Sequence, residues 1–485
     1  MFDTDTERGG SVGQDGVVRI VITTALLAVS AAVTAFSVAA FPMYNDRVDR
    51  ILPLVPLTAL LWLLFALAFV ALRTVPARAS VVLVIVGSLA IGGAAMAGPP
   101  NTSTDSARYA WDGIVQNAGI SPYAYVPGDP ALERLRTDWL FTDAVIDEQG
   151  DPTCPGPRMM PISGSDEPVC TAINRAHVPT IYPPTSEIFF AGLRLLTGPD
   201  AQYWPMQLAG LIMSLGITGI LLRALTRRDL DPRWAALWGW SPLAATEAVT
   251  NSHIDVLGAL LALVATLLVA NGRRWAGALA LGASIGTKLI PVIAAPALLR
   301  RQPWKIILGS AAIFIALYIP YILTTGVAVL GYLPGYLSEE GYSTGSRFIM
   351  LSLIAPGPAA TVLAAVLIVV TGVLVWWKSP ADNLWLGQVM MIGVTLLVVT
   401  PRYPWYALML VPFVAMSGRW EWMAVPFALT ERLLIGDVAL ARVTVAAAIV
   451  LIVVVSARRA GPGAPGRLWR WLRHPFHSNA APSTI

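Results

Sequence analysis

The sequence predicts an all-α polytopic membrane protein, and three observations carry that prediction. Of its 485 residues 56% are hydrophobic and 13% charged, where an average soluble domain is roughly 25% charged. Mean hydropathy is +0.64. Apolar runs near the ~20 residues that cross a bilayer recur along the chain, and basic links separate them. Nucleic-acid binding is a poor fit to such a chain. The formal net charge of +4 says less than where the charges lie, because Lys and Arg in short loops set orientation.

In chain order, residues 1–17 read as a polar cytoplasmic tail. The first apolar run, 18–41, follows a partly acidic start and reads as a span rather than a cleaved leader. Runs at 51–72 and 79–98 come next, and the basic link Arg73–Arg78 between them reads as cytoplasmic. Residues 99–204 are then a long extracytoplasmic loop, with thirteen Asp and Glu against six Arg and no Lys. Segments at 205–225, 234–250 and 256–271 follow, the last two forming a hairpin with its tip at Thr250–Asp255. Two short pieces, 275–286 and 289–299, meet at Gly286-Thr287-Lys288. A span at 306–325 leads to a second external loop, 326–349, and further segments fall at 357–377, 384–400, 404–417, 421–435 and 438–457. This makes about 14 membrane segments with both termini cytoplasmic and every strongly basic short link on one side. Residues 458–485 are a basic tail, whose Arg467–Arg473 stretch suits an anionic lipid surface.

The long loop holds both cysteines, Cys154 and Cys170. A disulfide between them would contribute about 3 kcal/mol in the chain-entropy model and would place the loop outside the cytosol. Asp105, Arg108 and Asp112 follow an outward-going span at helical spacing and share one helix face. A carboxylate there suits a general base toward a hydroxyl; a solvated Asp–Arg pair is the plainer alternative. Tyr182-Pro183-Pro184 is a rigid aromatic corner, either a binding wall or an interfacial anchor.

Glu247, His253 and Asp255 sit near the outer end of the hairpin. Lys288 is the one lysine of three that lies away from a cytoplasmic link. Ionisable groups at membrane depth are functional candidates by default; these either bind an anionic phosphate or satisfy one another. Arg347 and Arg402 fall at outer ends of spans, and an Arg fork suits phosphate. Pro401–Tyr406 is a dense aromatic turn with Trp405 and Tyr406. His253 and Asp255 do not by themselves specify a metal site.

Several passages resemble one family. Arg108-Tyr109-Ala110-Trp111-Asp112-Gly113, followed by Gly119-Ile120-Ser121-Pro122-Tyr123, is similar to the "RYxWDG…GxxPY" passage of bacterial GT-C polyprenol-phosphate-sugar glycosyltransferases, including the actinobacterial mannosyltransferases of glycosyltransferase family 87. Pro179–Pro184, Ser241-Pro242-Leu243 with Ser252–Asp255, Thr287–Pro291 and Pro404-Trp405-Tyr406 fit in the same order. Ser252 stands where that family usually has Gly, and only Asp105 is kept of a usual acidic pair before the first passage.

The resemblance implies a catalytic core at 79–457, with the two spans in 18–78 added in front. It implies a polyprenyl-phosphate sugar donor, mannose first, and a lipid or glycan acceptor on the extracytoplasmic face of the cell membrane. Transfer would invert, with Asp105 as base or Asp112 as the alternative. His253, Lys288, Arg347 and Arg402 would hold the donor phosphate. Arg108, Tyr109, Trp111, Tyr182, Asp255, Trp405 and Tyr406 would contact substrate. No cofactor is implied, and a divalent cation stays open. Arabinofuranosyl or glucosyl transfer, or transport of a lipid-linked sugar, are the competing readings.

Overall fold

The computed structural model describes residues 14–42, 53–148, 150–156, 159–162, 169–380 and 383–461. The end of the basic tail, with Arg467–Arg473, lies outside the described residues. Long helices form where the apolar runs are unbroken: α1 (Gln14–Ala40), α2 (Leu54–Leu72) and α3 (Ala77–Ala94). Their apolar side chains do not all turn inward. Leu63, Val70, Val82 and Val86 are more than half exposed, an outward face that suits lipid rather than water.

Between α3 and the next long helix the polar segment is built, not loose. Helix α4 (Asp105–Asn117) is buried from Ser106 through Val115. A 3-10 turn, Pro130–Leu135, is capped by Asp129, which accepts from the Ala131 N–H. Short strands follow: β1 (Phe141–Asp143), β2 (Val145–Ile146), β3 (Pro152–Thr153), β4 (Met160–Pro161) and β5 (Val169–Thr171). They make an antiparallel sheet of order β1-β5-β4 and a separate β2-β3 ladder. Cys154 and Cys170 are joined, with 5.6 Å between their Cα atoms. The loop has its own core of Trp111, Leu132, Leu140, Phe141 and Ile173. Helix α5 (Pro184–Thr197) closes the segment against α4. The two approach closely because Gly113 has no Cβ, which would stand 2.5 Å from the Phe190 carbonyl oxygen.

The second half alternates long helices with broken ones. Helix α6 (Trp204–Thr226) precedes a π-helical turn, Ala244–Thr250, and α7 (Asp255–Ala270), which meet at a bend of 113°. Then come α8 (Arg274–Ile285), α9 (Pro303–Thr325), α10 (Leu333–Glu339), α11 (Pro358–Lys378) and α12 (Leu384–Val399). Helices α13 (Val411–Ser417), α14 (Ala424–Ile435) and α15 (Val438–Ala460) end the described chain. Buried Trp238 and Trp240 tie the bundle together, donating their indole N–H groups to Ser214 O at 3.0 Å and Val84 O at 3.3 Å.

Among the described residues seven helices are long and apolar enough to cross a membrane, or eight if the bent pair counts as one span. About 14 segments were expected from the sequence. The difference lies in pieces such as 289–299 and 404–417, which fold as 3-10 turns and helices too short to span. Pro291, Pro296, Pro404 and Pro412 each stand in the first turn of one of these short elements, so a new piece starts at each, and residues 404–416 are buried inside the bundle. The expected second loop at 326–349 is also partly helical, through a 3-10 turn at Gly326–Leu330 and α10.

Candidate active site

Where the polar segment meets the bundle, a cavity of about 760 Å³ opens. That volume lies within the range of small-molecule sites. Its polar wall includes Asp105, Arg108, Asn174, Arg175, Lys288 and Arg402, and its aromatic wall includes Tyr182, Tyr336, Tyr403, Trp405 and Tyr406.

Asp105 is the first residue of α4, where a carboxylate meets the positive helix end. The approach to it is fixed from behind. Asn251 accepts from the backbone N–H groups of Asn101 and Thr102 at 3.1 Å each, and donates to Thr102 Oγ1 at 2.6 Å. Asn174 Nδ2 donates to Asp105 Oδ1 at 2.6 Å. His253 Nδ1 lies 3.4 Å from Asp105 Oδ2, without full hydrogen-bond alignment. Burial works to raise the Asp105 pKa, but the contact and charge of His253, the charge of Lys288 and the Asn174 hydrogen bond outweigh it. The carboxyl is held well below the usual carboxylate range. Its side chain keeps 15% of its surface open, so it can be reached from the cavity.

Asp112 is in a different position. It is 2% exposed and accepts from Arg108 Nε through both oxygens, at 2.8 and 3.0 Å. Glu187 packs beside it, accepting from Thr180 Oγ1 at 2.8 Å and from Gln116 Nε2 at 2.9 Å. Burial pushes Glu187 well up, and the charge of Asp112 adds to it. Burial likewise raises Asp112, against the pull of Arg108. Asp112 does not line the cavity; it positions Arg108, which does.

The cations divide in the same way. Lys288 Nζ is 2.7 Å from Asp255 Oδ2 and 4.9 Å from the centre of the Tyr406 ring. Arg175 pairs with Glu339 at 3.1 Å. Arg347 is 5% exposed, bonded to Glu340, and does not line the cavity. Arg402 is exposed on the cavity wall, and no carboxylate among the described residues pairs with it.

The aromatic passages also separate. Tyr182, Trp405 and Tyr406 line the cavity. Trp405 is sandwiched, with His253 at 3.7 Å on one ring contact and Tyr403 at 4.5 Å on another. Tyr109 and Trp111, expected at the substrate, are instead core residues. Tyr109 stacks on Phe190 at 4.5 Å, and Trp111 meets Phe141 at 4.8 Å. Helix α4 turns them away from the cavity because its two flanks both need apolar filling. His253 and Asp255 stand behind the wall rather than on it.

Asn174, Arg175 and His177 line the cavity and had no signal in the local sequence. Backbone conformation supplies one. Arg175, Ser252 and Thr400 have φ of 53°, 52° and 45° and lie in or directly before a site segment, while Asp229 and Gln302 share the conformation away from the cavity. Left-handed non-Gly residues cost energy and gather at functional sites. Among the described residues no group of three or more His, Cys, Asp or Glu is arranged to hold a metal ion.

The fold and the cavity define a polytopic membrane protein with an enzyme-like cleft at one end of its bundle. Residues 180–401 match the family model of Glycosyltransferase family 87. That match supports a membrane glycosyltransferase. It covers Glu247, His253, Asp255 and Lys288, while Asp105 and Asn174 precede it and Arg402 follows it directly. No curated protein and no solved structure matches the chain.

Proposed function

We propose that this protein transfers a sugar, mannose first among the alternatives, from a polyprenyl-phosphate donor to a lipid or glycan acceptor on the extracytoplasmic face. The observation that carries the reading is one shared cavity holding an accessible carboxylate, Asp105, and a cation without a carboxylate partner among the described residues, Arg402. Asp105 removes the proton from the acceptor hydroxyl as its oxygen attacks the anomeric carbon. The bond from that carbon to the phosphate oxygen breaks, and configuration inverts. Arg402 stabilises the charge that grows on the departing lipid phosphate, and Lys288, which lines the same cavity while paired with Asp255, adds to it. No activating nucleotide is needed, because the lipid phosphate is the leaving group. Tyr182, Trp405 and Tyr406 offer ring faces to the sugars.

The test is transfer in vitro from purified polyprenyl-phosphate mannose, arabinose and glucose to extracted envelope lipids. Product formation with one donor supports the reading and names the sugar. Absence of transfer from all of them, with protein that binds the donors, defeats it.

A further inference from the structure

Glu247 belongs to none of the cavity walls described above, yet its surroundings are built around it. It sits in the π-helical turn Ala244–Thr250, a rare form often found at functional sites. Its side chain is 3% exposed, its Oε2 lies 3.2 Å from His253 Nε2, and Asn251 Nδ2 donates to it at 3.3 Å. Its own backbone carbonyl accepts from the His253 N–H at 2.9 Å. His253 is fully buried, so its ring nitrogens see Asp105 on one side and Glu247 on the other. The nearby charges are Lys288 and Asp255, held to each other.

Behind Glu247 is a second, small cavity of about 30 Å³, lined by Glu247, Thr246, Asn101, Thr102, Thr58 and Trp62 among others. Two of these residues carry buried polar atoms with no partner among the described residues: the donor Trp62 Nε1 and the acceptor Asn101 Oδ1. A cavity needs roughly 10–15 Å³ and two to four polar partners to hold one water. This one offers the volume, a donor, an acceptor and a carboxylate.

We propose that Glu247 and this small cavity are the proton exit of the site, receiving through His253 the proton that Asp105 takes from the acceptor hydroxyl. The proposal rests on the reading of Asp105 as the base. The balance is simple. The acceptor O–H breaks and its proton reaches Asp105. Asp105 passes the proton to the bare Nδ1 of His253, which at this step is the neutral ring protonated on Nε2, while the ring releases its Nε2 proton to Glu247. Asp105 ends as the carboxylate, His253 as its other neutral tautomer and Glu247 protonated, and the added positive charge balances the negative charge left on the lipid phosphate. Loss of the Glu247 proton to solvent by way of the small cavity, and return of His253 to its Nε2–H form, reset the site.

A role limited to holding His253 would need only a hydrogen-bond acceptor at Glu247, and Gln supplies one. The test is therefore Glu247→Gln in the full-length protein, with single-turnover transfer from polyprenyl-phosphate mannose, or whichever donor the wild type uses. The expected result is a turnover rate lower by about 10- to 100-fold, with the KM values for donor and acceptor within about twofold of wild type. A wild-type rate in the Gln variant overturns the relay, as does a loss that appears in the KM values alone. Should the variant fail to fold, the wild type decides by itself. Its rate in mixed light and heavy water should curve with isotope fraction, because more than one proton moves, and a straight line overturns the proposal. Transfer with a straight line leaves the glycosyl-transfer reading standing, whereas no transfer at all removes both.

Discussion

Asn174 Nδ2 donates to Asp105 Oδ1 at 2.6 Å, joining two residues 69 positions apart. The bond ties the folded polar segment to the first turn of α4. On the proposed mechanism that contact orients the base. Asp105→Asn keeps the shape and removes the basicity, so transfer should fall by roughly 100-fold or more while the protein folds and binds donor. Asn174→Ala should cost about tenfold in turnover with little change in donor KM, by analogy with the cost of losing an orienting partner. Single-turnover rates of both variants decide it. A normal rate in Asp105→Asn together with a loss in Asp112→Asn would move the role to Asp112, against the burial of that pair.

The pH dependence follows from the same carboxyl. Asp105 is held below its unfolded value, near 3.9, so its ionised form stabilises the fold above that pH. The contribution is lost as pH falls through the folded pKa. For catalysis the sign is the same: the base stays ionised through mildly acidic conditions. A plot of kcat/KM should show no acid limb from Asp105 between pH 4 and 5. Asn174→Ala removes one of the groups that favour the ionised form, so its acid limb should move upward. An unshifted limb in that variant counts against Asp105 as the titrating base.

The architecture was legible where the physics is local. Unbroken apolar runs gave α1, α2, α3, α6, α9, α11 and α15 near their expected bounds, because a long apolar helix satisfies its own backbone. The short pieces were read as spans because hydropathy does not distinguish a lipid-facing run from a turn buried in protein, as at Pro404–Met409. Asp105, Arg108, Tyr182, Lys288, Arg402, Trp405 and Tyr406 were all named from their motifs and all line the cavity. Tyr109 and Trp111 share a motif with Asp105 but point elsewhere, since a helix spreads adjacent residues around its axis. Asn174 and His177 reach the cavity through contacts across the fold, which no local pattern encodes.

Ser252 occupies a left-handed conformation, φ 52°, one residue before His253. Related sequences were expected to carry Gly there, and the backbone supplies the reason: Gly enters that region without the Cβ penalty of roughly 1–2 kcal/mol. Ser252→Gly should therefore fold and keep its activity. Ser252→Val should lose stability relative to wild type, since β-branching adds strain to a penalty that Ser already carries, and His253 should shift with it. Thermal unfolding in detergent, read beside turnover, tests both. Equal stability of the Val variant and wild type would show that the turn is not constrained as described.

The disulfide is a separate test of the polar segment. Cys154 and Cys170 close a loop beside the three-stranded sheet, and Cys170 is fully buried. Replacing both by Ser should destabilise that segment by about 3 kcal/mol in the chain-entropy model, read as a lower first unfolding transition. The segment carries Asn174, Arg175 and His177 into the cavity, so turnover should fall with it at temperatures where the segment loosens. Peptide mapping without reductant would show the link directly. Two free thiols in protein taken from its native membrane would remove it.

Lys288 and Arg402 line one cavity but differ in pairing: a carboxylate holds Lys288, and none among the described residues holds Arg402. Lys288 is held by Asp255 at 2.7 Å, and Asp255 is 8% exposed. Removing one partner of a buried pair leaves the other uncompensated, at a cost of about 3–5 kcal/mol. Lys288→Ala should therefore lose stability first, with lower activity as a consequence, and Lys288→Arg should recover part of both because the charge remains. Arg402 has no carboxylate partner among the described residues and is exposed on the wall. Arg402→Ala should leave the unfolding temperature nearly unchanged. A charge-assisted hydrogen bond is worth roughly 1.5–3 kcal/mol, so donor KM should rise by about 10- to 100-fold, and Arg402→Lys should restore only part of it because the bidentate geometry is lost. Donor binding and thermal unfolding of the four variants separate the two roles. A stable Lys288→Ala protein with lost donor affinity, beside an Arg402→Ala protein that binds donor normally, would transfer the phosphate site from Arg402 to Lys288.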